Sequence, residues 1–153
     1  MVGVSTVERG PLRWGFDMAD GPAANPVVQN LLTADSVYVE PTTGKLSILG
    51  TFNNFNIAPG TPFPVSHSFL VIYLTLLECY GPCTLQLQIV DDSEEQTPIY
   101  GVEILVELPD PLVFGVVVQP VQMLTFPHAG NYFLQVLCGG ELLKEHRLIV
   151  TQL

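Results

Sequence analysis

Two groups of residues have types and spacings that could do chemistry. Cys79 and Cys83 bracket the tripeptide Tyr-Gly-Pro. Two thiols on either side of a tight turn can close a disulfide if their Cα atoms come within about 7 Å, or can supply half of a tetrahedral zinc site. Further zinc ligands would have to come from Cys138, His67, His128 and His146, none of which has a partner at ligand spacing. The expectation is therefore two reduced, partly buried thiols, with a disulfide or a metal knuckle as the alternatives. The second group is the run Asp91-Asp92-Ser93-Glu94-Glu95. Ca²⁺ takes several carboxylate oxygens, so Asp91, Asp92, Glu94 and Glu95 are weak metal candidates, but the alternating acidic pattern and glycine of an EF-hand loop are missing. A solvated hairpin tip is the expected reading, one that also protects a neighbouring apolar sheet from edge-to-edge association. No G-x-S-x-G, G-x-G-x-x-G or P-loop pattern occurs, so neither a catalytic site nor a cofactor is expected.

Composition narrows the classes further. The 153 residues suit one domain with a modest extension. Five Lys and Arg against fifteen Asp and Glu give a net charge of −10. Arg9, Arg13, Lys45, Lys144 and Arg147 cannot make a basic patch, so partners built on phosphate, whether nucleic acid or anionic membrane, are not expected. Charged residues make up 13% of the chain, about half the usual share, so some other chemistry must cover the surface or a partner must. Three cysteines do not form a paired secretory framework, and the N-terminus lacks the basic start and apolar core of a signal peptide. The longest apolar run, residues 69–77, is too short to span a bilayer as a helix. A cytoplasmic protein is expected.

The elements that must position these groups are strands. Residues 1–30 carry Gly3, Gly10, Pro11, Gly15, Gly21, Pro22 and Pro26, a density of breakers that predicts an irregular arm. Within it Trp14, Phe16 and Met18 alternate, so an extended segment would show all three on one face. From Leu31 the chain turns regular, and residues 31–153 are expected to form the folded domain. Residues 32–40 and 46–52 alternate around Pro41-Thr-Thr-Gly-Lys45, a hairpin with Gly44 where positive φ is cheap. Residues 53–66 read as a long loop rich in Pro and Gly. Residues 67–78 are apolar on both faces, which predicts a central strand or one whose outer face meets something. Residues 84–90, 99–108 and 112–124 continue the series, the last interrupted at Gly115 and Pro120 as an edge or a bulge would be. Many short strands with Gly and Pro turns, and no amphipathic helix, predict an all-β antiparallel sandwich of seven to nine strands.

The closing stretch "FPHAGNYFLQVLCGGELLKEHRLIV" specifies the kind of sandwich. A Tyr just after a turn, at the start of a late strand, matches the tyrosine corner of immunoglobulin-like folds, in which the hydroxyl bonds back to upstream backbone. Tyr132 fits that place. Gly139-Gly140 supplies the positive φ of a tight hairpin. With "LLTADSVYVEPTTGKLSILGTFNNF", this stretch resembles a family of small uncharacterised bacterial proteins, marked by a Leu-Leu-x-Ala-Asp segment, a "GKLxxLG" strand and a closing Phe-Pro-x-x-Gly-x-Tyr. The resemblance spans roughly residues 31–150. It implies a β-sandwich and a bacterial source and carries no assigned chemistry.

Taken together, these features predict a non-enzymatic interaction or assembly module, a scaffold or adaptor that meets copies of itself or another protein. Trp14, Phe16 and Met18 are the expected contact residues. A small-ligand or Ca²⁺-binding domain is the alternative, and a hydrolase with a dispersed site the second alternative.

Overall fold

A computed structural model of the chain describes Val2–Gly3 and residues 24–153. Trp14, Phe16 and Met18 lie outside the described residues. The protein is an all-β, immunoglobulin-like sandwich, with no helix among the described residues and hence none long and apolar enough to cross a membrane. In chain order the strands are β1 (Val2–Gly3), β2 (Val27–Val39), β3 (Leu46–Thr51), β4 (Asn54–Ile57), β5 (Val65–Leu77), β6 (Cys83–Asp91), β7 (Pro98–Val106), β8 (Gly115–Phe126), β9 (Gly130–Cys138) and β10 (Glu141–Gln152). The first sheet has the order β1-β8-β5-β2-β3, the second β4-β10-β9-β6-β7.

The alternation read from the sequence is the alternation seen. Leu70, Ile72, Leu74 and Leu76 of β5 face Leu85, Leu87 and Ile89 of β6 and Tyr132, Leu134 and Val136 of β9 within one continuous core, all fully buried. Burying each such side chain stabilises by about 1.5–3 kcal/mol, and the period of two delivers every second residue to the same interior. The hairpin glycines also behave as expected, with φ of +71° at Gly44, +58° at Gly139 and +83° at Gly140. Pro120 lies in β8 where, among the described residues, that strand has no partner on its outer side, β1 pairing only at Gly115 and Val116. A residue without an N–H costs nothing to a ladder that is not there.

Besides the start of β2 at Val27, inside the expected irregular arm 1–30, three features depart from the sequence reading. The described residues form ten strands rather than seven to nine, the additions being the two-residue β1 and β4, which lies inside the expected loop 53–66. Two pairings are parallel rather than antiparallel, β1 with β8 and β4 with β10. The chain crosses from the first sheet to the second between β3 and β4, and a strand laid down by such a crossover need not run against its neighbour. The third departure is a change of phase inside β8. Val117 and Val121 point inward, but so do Leu124 and Phe126, which an unbroken period of two would turn to solvent. Met123 sits between them at φ +55°, 63% exposed, and its left-handed backbone resets the alternation.

Tyr132 closes the sandwich. Its side chain is fully buried, its hydroxyl donates to the carbonyl oxygen of His128 at 2.7 Å, and the His128 N–H approaches the same hydroxyl at 3.3 Å. This is the corner anticipated from the Gly-Asn-Tyr placement. Tyr132→Phe keeps the ring and removes the hydroxyl donor to that carbonyl, so it is expected to cost about 1–3 kcal/mol in urea unfolding with an unchanged slope.

Candidate functional site

The two outward faces of the sandwich differ in chemistry. On the second sheet, Gln88 donates to Gln135 at 2.8 Å and Gln135 donates to Glu145 at 2.8 Å, a polar ladder across β6, β9 and β10. On the first sheet, the outward row of β5 holds Phe69, Val71, Tyr73 and Thr75, flanked by Pro120, Val118 and Val116 of β8 and by Ala34 and Leu32 of β2. Phe69 and Val118 are each 40% exposed, and Leu49 on β3 is 52% exposed. The two-faced apolar pattern of residues 67–78 is thus explained by the central place of β5 between β8 and β2, with an apolar outer surface left over.

A second feature lies at the end of the sandwich where β3 crosses to β4. A cleft of about 340 Å³ opens there between the sheets, lined by Asp35, Asn54, Asn56 and His67 together with Phe52, Phe55 and Phe126. Its floor is aromatic. Phe55 packs edge-on against Phe52 and His67, both at 5.1 Å between ring centres, and at 4.7 Å on Phe126. Phe126 in turn meets Tyr132 at 5.0 Å, so the cleft floor continues into the tyrosine corner. One wall depends on Gly50. It has φ +67°, and a Cβ there would stand 2.8 Å from Cγ of Asp35 and closer still to Oδ2. The Leu-Leu-x-Ala-Asp and "GKLxxLG" segments therefore meet at Asp35 and Gly50, across the β2–β3 pairing. The sequence reading singled out both segments and His67 separately, and the signal that could have joined them was the shared hairpin, which sets residue 35 opposite residue 50.

The acidic candidates are placed as follows. Asp91 is buried, and its Oδ1 accepts from Ser93 Oγ at 2.6 Å, Thr97 N at 2.9 Å and Ser93 N at 3.2 Å. The Ser93 hydroxyl, then the loop amides, hold its carboxyl below the usual carboxylate range. Its Oδ2 lies 3.8 Å from Nε2 of His128, whose ring stacks on Tyr132. Asp91 thus organises the β6–β7 turn, while Asp92, Glu94 and Glu95 are exposed. Among the described residues no group of three or more His, Cys, Asp or Glu could hold a metal ion.

Opposite this end, Cys79 Sγ lies 3.2 Å from Cys83 Sγ, both free thiols, with Cys138 beside Cys83. His146 is separate from both ends' clusters. It pairs with Leu134 on the inward-facing phase of β10, its Nε2 is buried without a hydrogen-bond partner, and burial pushes its pKa below the ordinary histidine value.

The family of unknown function DUF6941 matches residues 29–151, and the chain belongs to it. No functionally curated protein matches. Among solved structures, an immunoglobulin-like protein from Pseudomonas aeruginosa aligns at 18% identity and a TM-score of 0.38, over 86% of this chain and 100% of that one. The alkylpurine DNA glycosylase AlkC of Pseudomonas fluorescens, bound to DNA containing an abasic site analog, aligns at 12% identity and a TM-score of 0.45. A beta-glucosidase from Listeria innocua in complex with isofagomine aligns at 10% identity and 0.41. The matches cover 83% and 82% of this chain but only 30% and 16% of the length of those two enzymes.

Two outcomes follow for titration and substitution. Below about pH 6.5 the unfolded chain takes up a proton that folded His146 resists, so stability falls as pH drops from there toward the lowered folded value. His146→Leu should flatten the pH dependence of the melting temperature in that window and leave the separate acid loss, in which Asp91 must protonate, below about pH 4. Gly50→Ala should cost at least about 1–2 kcal/mol in chemical unfolding, from the left-handed backbone alone.

Proposed function

We propose that the protein is a non-enzymatic interaction module that works in the cytoplasm and binds protein, either a second copy of itself or another chain, through the outward face of the β8-β5-β2-β3 sheet. The observation that carries this reading is the contrast between the two outer faces: a glutamine and glutamate ladder on one sheet, and Phe69, Tyr73, Val118 and Leu32 on the other. Surface apolar residues scattered singly need no explanation, whereas neighbouring ones on one sheet face, here exposed Phe69 and Val118 with half-buried Tyr73 and Leu32, mark a contact surface. The sparse charge of the chain fits the same reading, since interface centres are depleted of charge. The N-terminal segment with Trp14, Phe16 and Met18 belongs to this proposal as a second contact element, rooted on the same sheet by the pairing of Gly3 with Val116.

A second reading is supported by the cleft at Asp35. A concave site with an aromatic floor and a few polar groups on its rim is the form that small-molecule sites take. The acidic turn is the weaker ligand candidate, because Asp91 already spends one carboxylate oxygen on three donors of its own loop.

The test sets Phe69→Lys with Val118→Lys beside a variant lacking residues 1–23. Both are checked for an unchanged melting temperature. Light scattering then reads assembly, and pull-down from the native host reads partners. The paired lysines are expected to weaken association by about tenfold or more, since a desolvated charge has to be placed at an interface centre. Unchanged assembly and unchanged partners in both variants would refute the reading. Millimolar Ca²⁺ is expected to leave the melting temperature unchanged, and a rise lost in Asp92→Asn with Glu94→Gln would favour the ligand reading instead.

A further inference from the structure

All three cysteines of the chain, 79, 83 and 138, meet at the end of the sandwich away from the tyrosine corner. Cys79 follows β5, Cys83 opens β6 and Cys138 ends β9, where it lies one register step from Cys83 on the same inward face, opposite Leu85. Cys79 is buried, at 1% exposure, while Cys83 is half-buried. Cys83 and Cys138 also line a cleft of about 310 Å³ whose other walls include Tyr80, Gly139 and the segment Ala24–Pro26. Cys83 thus faces an entry path for a small reagent, while Cys79 lies buried behind it at bonding reach of the Cys83 sulfur.

We propose that Cys79 and Cys83 form a reversible dithiol–disulfide site, oxidised through this cleft by a low-molecular-weight disulfide such as oxidised glutathione, with Cys83 as the thiol that reacts first. The sulfurs are already 3.2 Å apart, so closing the bond to about 2.05 Å brings them about 1.2 Å closer. The steps balance. Cys83 loses its proton and its sulfur attacks one sulfur of the oxidant, making a mixed disulfide and releasing one glutathione as the thiolate, which takes up a proton. Cys79 then loses its proton, attacks the Cys83 sulfur and releases the second glutathione. Two protein thiols become one disulfide, and the two electrons and two protons end on two molecules of reduced glutathione. Cys138 is left as the free thiol.

The surroundings favour the product and slow the reaction. Burial first, then the adjacent Cys79 thiol, pushes the Cys83 pKa far above that of a free cysteine, and burial raises Cys138 as well. A site that resists a thiolate accepts an uncharged disulfide more readily, and it makes the thiolate the scarce species in oxidation. The rate should therefore climb with pH without levelling off. The oxidised turn, Cys79-Tyr-Gly-Pro-Cys83, would form a covalently fixed wall beside Ala24–Pro26, the root of the N-terminal segment.

The test uses the full chain, incubated with oxidised and reduced glutathione at graded ratios, quenched in acid, unfolded, alkylated and mapped by mass spectrometry. The expected result is loss of about 2 Da with alkylation missing at Cys79 and Cys83 together and retained at Cys138. The rate should rise about tenfold per unit between about pH 7 and pH 9, whereas the unfolded chain, with ordinary thiols, levels off. Cys79→Ser should stop at a glutathione adduct on Cys83, and Cys138→Ser or, if that variant does not fold, Cys138→Ala should still close the bond. The inference is overturned if all three thiols remain alkylatable when oxidised glutathione dominates, if the cross-link maps to Cys138, or if wild-type protein stops at the mixed disulfide.

Discussion

Tyr132 has to be buried completely and still find a partner for its hydroxyl, and the far end of the sandwich is arranged around that requirement. The solution is local: the chain turns at Pro127-His128-Ala129-Gly130, and the carbonyl of His128, four residues back, accepts the hydrogen bond from the hydroxyl. An unpaired buried hydroxyl would cost more than the bond itself contributes, so the turn and the tyrosine are tied together. Gly130 enters β9 at φ +136°, a conformation that would strain a side chain. From Tyr132 the contacts run outward through Phe126 to Phe55 and then to Phe52 and His67, which makes the floor of the Asp35 cleft an extension of the corner. On the other side His128 stacks on the tyrosine and points Nε2 toward Asp91, which in turn orders the β6–β7 turn. Corner, cleft and acidic turn share one mechanical base.

That base also explains why the phase change in β8 matters. Phe126 links the corner to the cleft only because the left-handed residue Met123 turns it inward. Without the change, Phe126 would stand on the apolar outer face and the cleft would lose its floor. Among the described residues, the opposite end of the sandwich has no such aromatic closure. It is held by the turn at Cys79–Cys83 and the Gly139–Gly140 hairpin, and it is there that the thiols and the Ala24–Pro26 segment come together.

The outer faces follow from the topology. β5 is central to its sheet, so its inward residues are committed to the core while its outward residues lie beside neighbours on β8 and β2. Thr75 is fully buried and Val71 nearly so, but Phe69 at one end of the row and Val118 beside it keep substantial exposure. On the other sheet β6 and β9 present Gln88 and Gln135 at the equivalent central positions, where side-chain amides satisfy one another and Glu145. One fold therefore carries a self-satisfied polar face and an unsatisfied apolar one. The functional reading rests on that difference, independently of family membership, which assigns no activity.

Much of this was legible in the residues themselves. Strand positions, inward faces, hairpin glycines, the centrality of residues 67–78 and the corner at Tyr132 all follow from patterns a few residues long, because a period of two and a turn residue act locally. Tertiary structure decided the rest. β4 is four residues inside a Pro-rich stretch, and only its pairing with the end of β10 makes it a strand. Asp35 and Gly50 sit opposite each other through the register of one hairpin, and His67 and Phe126 reach the same cleft from two other strands. Cys138 joins Cys79 and Cys83 across more than fifty intervening residues because β9 pairs with β6 in one register and no other. Local pattern fixes which way a side chain points, but which distant side chains it meets is set by strand order and register, and those are settled only when the whole core is packed.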